Sequence, residues 1–557
     1  MGERRHRESS RGAFLRASSR VGFALSLILS VPTIALAQPA PTHPPDRAEP
    51  PVAADPPPPA TTTATPDPPP PATTTAPEPP AGPPPEPPRT PSEPPRGSAA
   101  SPHVYTLESV EIRGNIRTRD RVILRYVPFR AGTLIDVDDP EVELARYRLL
   151  GTGFFQSVSF TLRRGSHRGA AVLVIDVRER NTIVVNDIWL GLSASADNNG
   201  QARPLSAYGG ADGAETNLAG TGITLGGAFA LADGQVALRL RFLDPAFLGT
   251  SWMAQTTLLY NGAREFYGTR GVRYDDPNGG ADSTLDFAVV SYKRFGGAIG
   301  AGRDLGISTQ LWLDYRLERI EASLPLAASH YRGPDIEPLT YSLLPGKSVL
   351  STVRATVTHD TRDAPLLSTK GYHVVVAGDV SLQPLGSSYG YEKIQVRASK
   401  WWPLSRGHVF RLEVYGGAIG GDAPVFEKFY VADFTDLLPD RVLDLNTDRR
   451  PAPNFFATNI AEVRFGDYAA KIQGEYRIPV YRGSRSVYGI DFYSALGLYA
   501  VTTHRDISDP ARGYEGFARF PVDMTFNLGL RMDTKAGGFT LSFANPLGFV
   551  PILRGRQ

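Results

Sequence analysis

From Asp187 onward, apolar and polar residues sort by parity in runs of about ten. In Tyr391–Pro403, Ile394, Val396 and Ala398 share one side and Lys393, Gln395, Arg397 and Ser399 the other. Leu238, Leu240 and Phe242 likewise oppose Arg239 and Arg241; Val353, Ala355 and Val357 oppose Thr352, Arg354 and Thr356. Phe410, Leu412 and Val414 oppose Arg411 and Glu413, and Ile472, Tyr476 and Ile478 oppose Lys471, Gln473, Glu475 and Arg477. Met524, Phe526, Leu528 and Leu530 oppose Asp523, Thr525, Asn527 and Arg531. A period of two predicts strands with one apolar and one charged face. Fifteen are predicted, near 187–195, 202–211, 221–231, 235–243, 251–261, 283–295, 306–320, 347–359, 371–381, 390–401, 407–418, 469–480, 487–499, 521–532 and 538–546. A sandwich would bury apolar faces against each other, and no second apolar layer is legible. The pattern predicts an all-β transmembrane barrel of about 16 antiparallel strands over 187–557, with lipid outside and a polar lumen. Ile394, Val396 and Ala398 then face lipid, and Trp401 and Trp402 fall where an interfacial aromatic belt would.

Connection lengths alternate. Residues 217–222, 244–251, 361–370, 403–406 and 534–538 make compact turns, whereas 321–346, 419–468 and 500–520 are long. Short turns are expected on the periplasmic side and long loops outside. After a fifteenth strand only "FVPILRGRQ" remains to form a sixteenth, and Pro551 with two arginines makes that a poor membrane strand.

Before the barrel, 103–181 changes period. "LESVEIRGN" alternates, "RTRDRVILRYV" has helical spacing with Thr118 or Asp120 as cap, and "DDPEVELARYRLLG" begins with Asp139 capping and Pro140 at the first helical position. "FQSVSFTLRRG" and "AAVLVIDVRER" alternate as a hairpin, so the segment predicts one small α/β domain. Residues 38–100 hold 26 of the 49 prolines and repeat DPPPPATTTA at Asp55 and Asp67, which predicts a disordered, polyproline-rich spacer. A basic start, the apolar run Val21–Val31 and Ala35-Leu36-Ala37 read as a signal peptide over 1–37.

The chain has no cysteine, which removes disulfide scaffolds and thiolate metal sites, and its net charge of +2 gives no support for nucleic-acid binding. No G-x-S-x-G, H-E-x-x-H or Walker loop is found, and nine scattered histidines lack ligand spacing. No enzymatic activity, cofactor or metal is expected.

"VEIRGNIRTRDRVI", "LLGTGFFQSVSF" and "LVIDVRER" make 103–181 resemble a POTRA domain. "AETNLAGTG", "DPAFLGTSW", "THDTRDAPLLSTKGY", "FEKFY", "GEYRIPV" and "GLRMDTKAGGFTLSFANPL" make the barrel similar to the BamA/TamA outer-membrane assembly family, the bacterial surface antigen barrel. The resemblance implies a bacterial outer-membrane factor that inserts unfolded outer-membrane proteins, with the POTRA domain in the periplasm and periplasmic accessory proteins as further partners. On that reading clients add to a sheet edge around Val110, Ile112, Val158 and Phe160 and enter through a seam lined by Ile188, Leu190, Leu541 and Phe543. A two-partner-type polypeptide secretion pore and a passive structural barrel remain alternatives. Asp360, Arg362, Asp363 and Gly371 are read as a turn motif. The family also carries an Arg-Gly-aromatic motif in its sixth external loop that meets an acidic wall residue. No such tripeptide occurs here; Arg441 or Arg464 against Glu475 is the expected substitute.

Overall fold

A computed structural model describes residues 33–34, 104–136, 138–268, 271–274, 283–285, 287–435 and 441–545. The expected spacer and most of the expected signal peptide lie outside the described residues, as does "FVPILRGRQ".

The α/β domain comprises β1 (Val104–Arg113), α1 (Asp120–Tyr126), β2 (Leu134–Asp136), α2 (Pro140–Gly151), β3 (Phe155–Arg164) and β4 (Ala170–Glu179). Its sheet order is β2-β1-β4-β3, with β1 and β4 parallel. One face buries Leu107, Phe155, Leu173 and Ile175 under Val122, Ile123, Ala145 and Leu149 of the helices. At α2, Pro140 opens the first turn and Asp139 accepts a hydrogen bond from Glu141 N (2.8 Å). Neither expected cap serves α1: its N-cap is Arg119, without a side-chain cap bond, and Thr118 is used elsewhere.

The barrel follows with β5 (Ile183–Ala196), β6 (Ala202–Glu215), β7 (Thr224–Ala232), β8 (Gln235–Asp244), β9 (Trp252–Tyr267), β10 (Ala288–Asp304), β11 (Thr309–Ser323), β12 (Gly346–Asp360), β13 (Gly371–Ser381), β14 (Tyr391–Pro403), β15 (Val409–Gly421), β16 (Tyr468–Arg482), β17 (Val487–Thr502), β18 (Val522–Thr534) and β19 (Gly537–Ala544). Each pairs antiparallel with its sequence neighbour, giving fifteen barrel strands among the described residues rather than sixteen. Thr33–Ile34 adds a two-residue strand parallel to β19, opposite Thr540 and Leu541. The largest boundary error is β10, whose lower half reads GGAIGAG; small residues there hide the alternation that its register with β9 preserves.

Burial inverts that of a water-soluble protein. Leu190, Leu240, Phe295, Leu313, Val414 and Leu496 are exposed on the outer wall, while Arg294, Glu318, Glu413, Glu475 and Asp491 are buried within. A continuous apolar belt of this extent exceeds what water-soluble monomers expose and suits hydrocarbon. Among the described residues no helix is long and apolar enough to cross a membrane. One expectation is corrected: Trp401 is buried on the lumen side, within 5.6 Å of the Arg411 guanidinium, and only Trp402, stacked on Phe410, takes the outer face. Consecutive strand residues point to opposite faces, so both tryptophans cannot join one belt.

Outside, Val272–Tyr274, Ser283–Leu285, Ala328–Arg332 and Asp335–Pro338 form a separate four-stranded sheet. Its ion pairs run to the loop after β17: Arg332 to Asp506 (3.0 Å), and Arg505 to Glu337 (2.7 Å).

Candidate functional site at the seam and lumen loop

Among the described residues the barrel is not closed by a ladder. Between β5 and β19 there is no strand pairing; Val185 N donates to Ala536 O (2.9 Å) at the end nearest the α/β domain. Beside it, Arg180 bonds Asp533 and the Thr534 carbonyl, each at 2.9 Å. Gly537 has φ +142, and a Cβ there would lie 2.4 Å from Val185 O, so only glycine admits the approach. β19 is short because Asn545 turns to φ +42, and pairing with β18 stops at Asn527↔Ala544. Of the expected seam residues, Ile188, Leu190 and Phe543 are exposed and Leu541 is half-buried.

The upper part of the seam is strapped from within by the loop joining β15 to β16, residues 422–467. Ser193 Oγ donates to Thr447 O (2.8 Å), Arg449 N to Ala194 O (2.9 Å) and Arg449 Nε to Ser195 O (2.9 Å), tying the loop to β5. Phe455 N (2.9 Å) and Phe456 N (3.1 Å) donate to the Asp523 carboxylate, and Thr458 Oγ1 to Val522 O (2.8 Å), tying it to β18. One loop thus spans both sides of a gap that backbone pairing leaves open.

The loop tip is a tight turn closed by a Val442↔Leu445 bridge, with positive φ at Leu443 and Asp444. Positive φ at leucine is uncommon, so the surrounding contacts must impose it. Leu443 O accepts from Asn261 Nδ2 (2.7 Å), and Asn446 O accepts from Gln235 Nε2 (2.8 Å). Arg441 lies 4.6 Å from the Tyr430 ring and 3.7 Å from Glu265 Oε1. Glu265 is fully buried and also accepts from Tyr292 Oη (3.0 Å) and Asn446 Nδ2 (2.9 Å).

The expected pairing with Glu475 is therefore corrected. Glu475 meets Arg531 on β18 (2.7 Å), Arg411 on β15 (3.3 Å) and Arg477 on its own strand (3.7 Å), three wall residues that satisfy it without the loop. Arg464 donates to Arg449 O (2.6 Å), Asp448 O (2.7 Å) and Tyr430 Oη (2.9 Å), which folds the loop on itself. Sequence reading missed Glu265 because it lies about 176 positions from Arg441; its signal was an acidic residue on the lumen parity of β9.

The α/β domain packs along the short turns. Asn217 Nδ2 donates to Thr118 Oγ1 (2.8 Å) and Arg119 N to Gly220 O (3.0 Å). Arg125 donates to Pro245 O (3.0 Å) and pairs with Asp304 (2.8 Å), to which Arg148 also bonds. Lys370 lies 5.2 Å from the Tyr147 ring, and Gln156 reaches Ser484 O (3.4 Å). Short turns and α/β domain therefore share one end of the barrel. A 340 Å³ crevice lined by Arg117, Phe154, Glu179, Arg180 and Asn217 lies at their junction.

Val158 and Phe160 lie on the edge strand β3; their side chains, with Val110 and Ile112, pack in the domain core, so the edge they offer is backbone. In the turn after β12, Arg362 Nε and Nη2 grip both Asp360 oxygens (2.9 and 2.6 Å), Asp363 accepts from Thr369 N (2.8 Å), and Gly371 takes φ +106. These residues build a turn.

A family model described as the Omp85 superfamily domain matches residues 217–437. A curated relative, the outer membrane protein assembly factor BamA of Nitratidesulfovibrio vulgaris, is 22% identical over 337 residues, 58% of this chain and 36% of the relative's length. Among solved structures, BamA from Haemophilus ducreyi lacking POTRA domains 1–3 is 14% identical with a TM-score of 0.41, covering 81% of each chain. CdiB from Escherichia coli is 10% identical with a TM-score of 0.46, covering 78% of this chain and 73% of its own.

Proposed function

We propose that the chain, whose residues 217–437 match the Omp85 superfamily domain, is a member of that superfamily and a bacterial outer-membrane assembly factor that inserts β-barrel clients through its own seam. The observation that carries this reading is the seam itself: among the described residues β5 and β19 have no ladder between them, and the Val185–Ala536 bond and the loop strap span it. The edge of β19 accepts the two-residue strand Thr33–Ile34, and an open strand edge is a template for an incoming strand. In hydrocarbon, where unmet backbone groups cost several kcal/mol each, that template stabilises a client hairpin before it can close on itself.

In this mechanism the α/β domain acts as a POTRA domain facing the periplasm. A client adds to the free edge of β3, the strand of Val158 and Phe160, through backbone bonds. It is handed to the seam beside Arg180, and its final apolar face enters lipid between Ile188 and Leu190 on one side and Leu541 and Phe543 on the other. No nucleotide is needed, because burying the client's apolar face supplies the free energy.

Export of a polypeptide through the lumen is the second reading. It is favoured by the loop being a folded occupant of the lumen held by side-chain and turn contacts rather than a strand of the wall. The test is the rate at which an unfolded small outer-membrane protein becomes protease-resistant in liposomes carrying this protein. Acceleration that is lost on deleting residues 103–181 supports insertion; no acceleration, with passage of an unfolded chain across the bilayer, supports export instead.

A further inference from the structure

The loop does more than fill space: it supplies carboxylates to a basic stretch of wall. Arg239 on β8 pairs with Asp444 (3.0 Å), and Arg294 on β10 pairs with Asp444 (3.4 Å) and with Glu318 (2.8 Å). Arg316 on β11 pairs with Glu427 (2.5 Å) and Glu318 (3.4 Å), and Lys393 on β14 donates to Glu427 O (2.7 Å) with its carboxylate at 3.6 Å. Two wall pairs are complete without the loop: Arg241–Asp212 on one side and, on β12 and β13 between Arg316 and Lys393, Arg354–Asp379. Four cations thus face three carboxylates, two of which, Glu427 and Asp444, belong to the loop. With the loop withdrawn, Glu318 is the one wall carboxylate among the described residues that keeps an ion pair with any of the four, and Asp379, opposite Lys393, is already held by Arg354.

Like charges confined together without counter-charge repel, and a bound carboxylate relieves that repulsion. We propose that Arg239, Arg294, Arg316 and Lys393 form a binding site for the carboxylates of an acidic polypeptide segment, and that Glu427 and Asp444 occupy it as built-in stand-ins while the loop is seated. The planar guanidinium forks suit carboxylates two oxygens at a time, which favours side chains of aspartate and glutamate over bulk chloride. A segment with two acidic residues reproduces the loop's contacts and displaces it, so lumen occupancy becomes a competition between the loop and the passing chain. The site requires only the barrel and its loop, so its failure would leave the insertion reading intact.

Arg239 and Lys393 are the informative positions, because their ion pairs are made to the loop; neutralising them strands no wall carboxylate. Wall residue Glu265 faces loop residue Arg441 and is left unaltered. The full-length protein is reconstituted in planar bilayers, and current block by a ten-residue glutamate peptide is compared with block by a ten-residue lysine peptide. Glu427→Gln/Asp444→Asn should lower the half-blocking concentration of the glutamate peptide at least tenfold and raise chloride-over-potassium permeability at least threefold, with no gain for the lysine peptide. Adding Arg239→Gln/Lys393→Gln should return both to the starting values. No change in the first variant, or a response that survives in the second, would overturn the site. Heat-modifiable mobility on gels checks folding of each. Were the double loop variant unfolded, Asp444→Asn alone should still lower the half-blocking concentration about threefold, and its failure to do so would count equally against the site.

Discussion

Replacing Glu265 by glutamine tests whether the loop is held where the structure holds it. The carboxylate is fully buried, and the Arg441 side chain beside it is nearly so, at 0% and 9% exposure. Removing one partner of a buried ion pair costs about 3–5 kcal/mol because the other charge is left uncompensated. Here the lower end applies: at 3.7 Å the pair is not a direct hydrogen bond, and glutamine retains an acceptor for Tyr292. A loss of about 3 kcal/mol moves the seated-to-released ratio by roughly 100-fold, since about 1.4 kcal/mol is tenfold. The chain has no cysteine, so Val442→Cys gives a unique, buried reporter at the loop tip. Its labelling rate by a membrane-impermeant maleimide should rise by roughly two orders of magnitude in Glu265→Gln. Glu475→Gln should leave labelling within about twofold, because its three arginines are on the wall and not on the loop. Release by Glu475→Gln with none by Glu265→Gln would refute the assignment.

Asp304→Asn removes the anion shared by Arg125 and Arg148; at about 2 kcal/mol for charge-assisted bonds, tryptic cleavage within the α/β domain should accelerate roughly 30-fold. Gly537→Ala places a methyl against Val185 O and should slow disulfide formation in a Val185→Cys/Ala536→Cys pair at least tenfold, as measured by non-reducing gels. Burial depresses the folded pKa of His330 in the external sheet, only partly offset by Glu337 and Glu462. A depressed pKa means the unfolded form binds more protons, so this contribution is present above the ordinary histidine value of about 6.5 and is lost as pH falls through the folded pKa. Proteolysis of residues 324–345 from outside should therefore quicken below about pH 6.5, and His330→Gln should flatten that dependence.

The barrel was legible because its driving pattern is local. Parity along Leu238–Phe242 or Met524–Arg531 survives in any single strand, and all fifteen runs overlap observed strands. Boundaries failed where composition erased the pattern, as in the glycine-rich lower half of β10. The site was less legible, since it depends on which distant residues share a level in the lumen. Arg441 was singled out from its place in a long loop, yet its partner is set by strand register and loop length, neither of which sequence order specifies. Asp523 and the Ser193–Ser195 stretch, which hold the loop across the seam, carry ordinary strand signals. Whether "FVPILRGRQ" adds a sixteenth strand lies outside the described residues.

The central claim is that clients enter through the gap between β5 and β19. Its most direct test is the liposome folding rate of a small outer-membrane protein with the Val185→Cys/Ala536→Cys variant, oxidised and then reduced. The account predicts that the locked barrel loses its acceleration and recovers it on reduction, with the uncrosslinked parent indifferent to both treatments. Full acceleration by the locked barrel would contradict it.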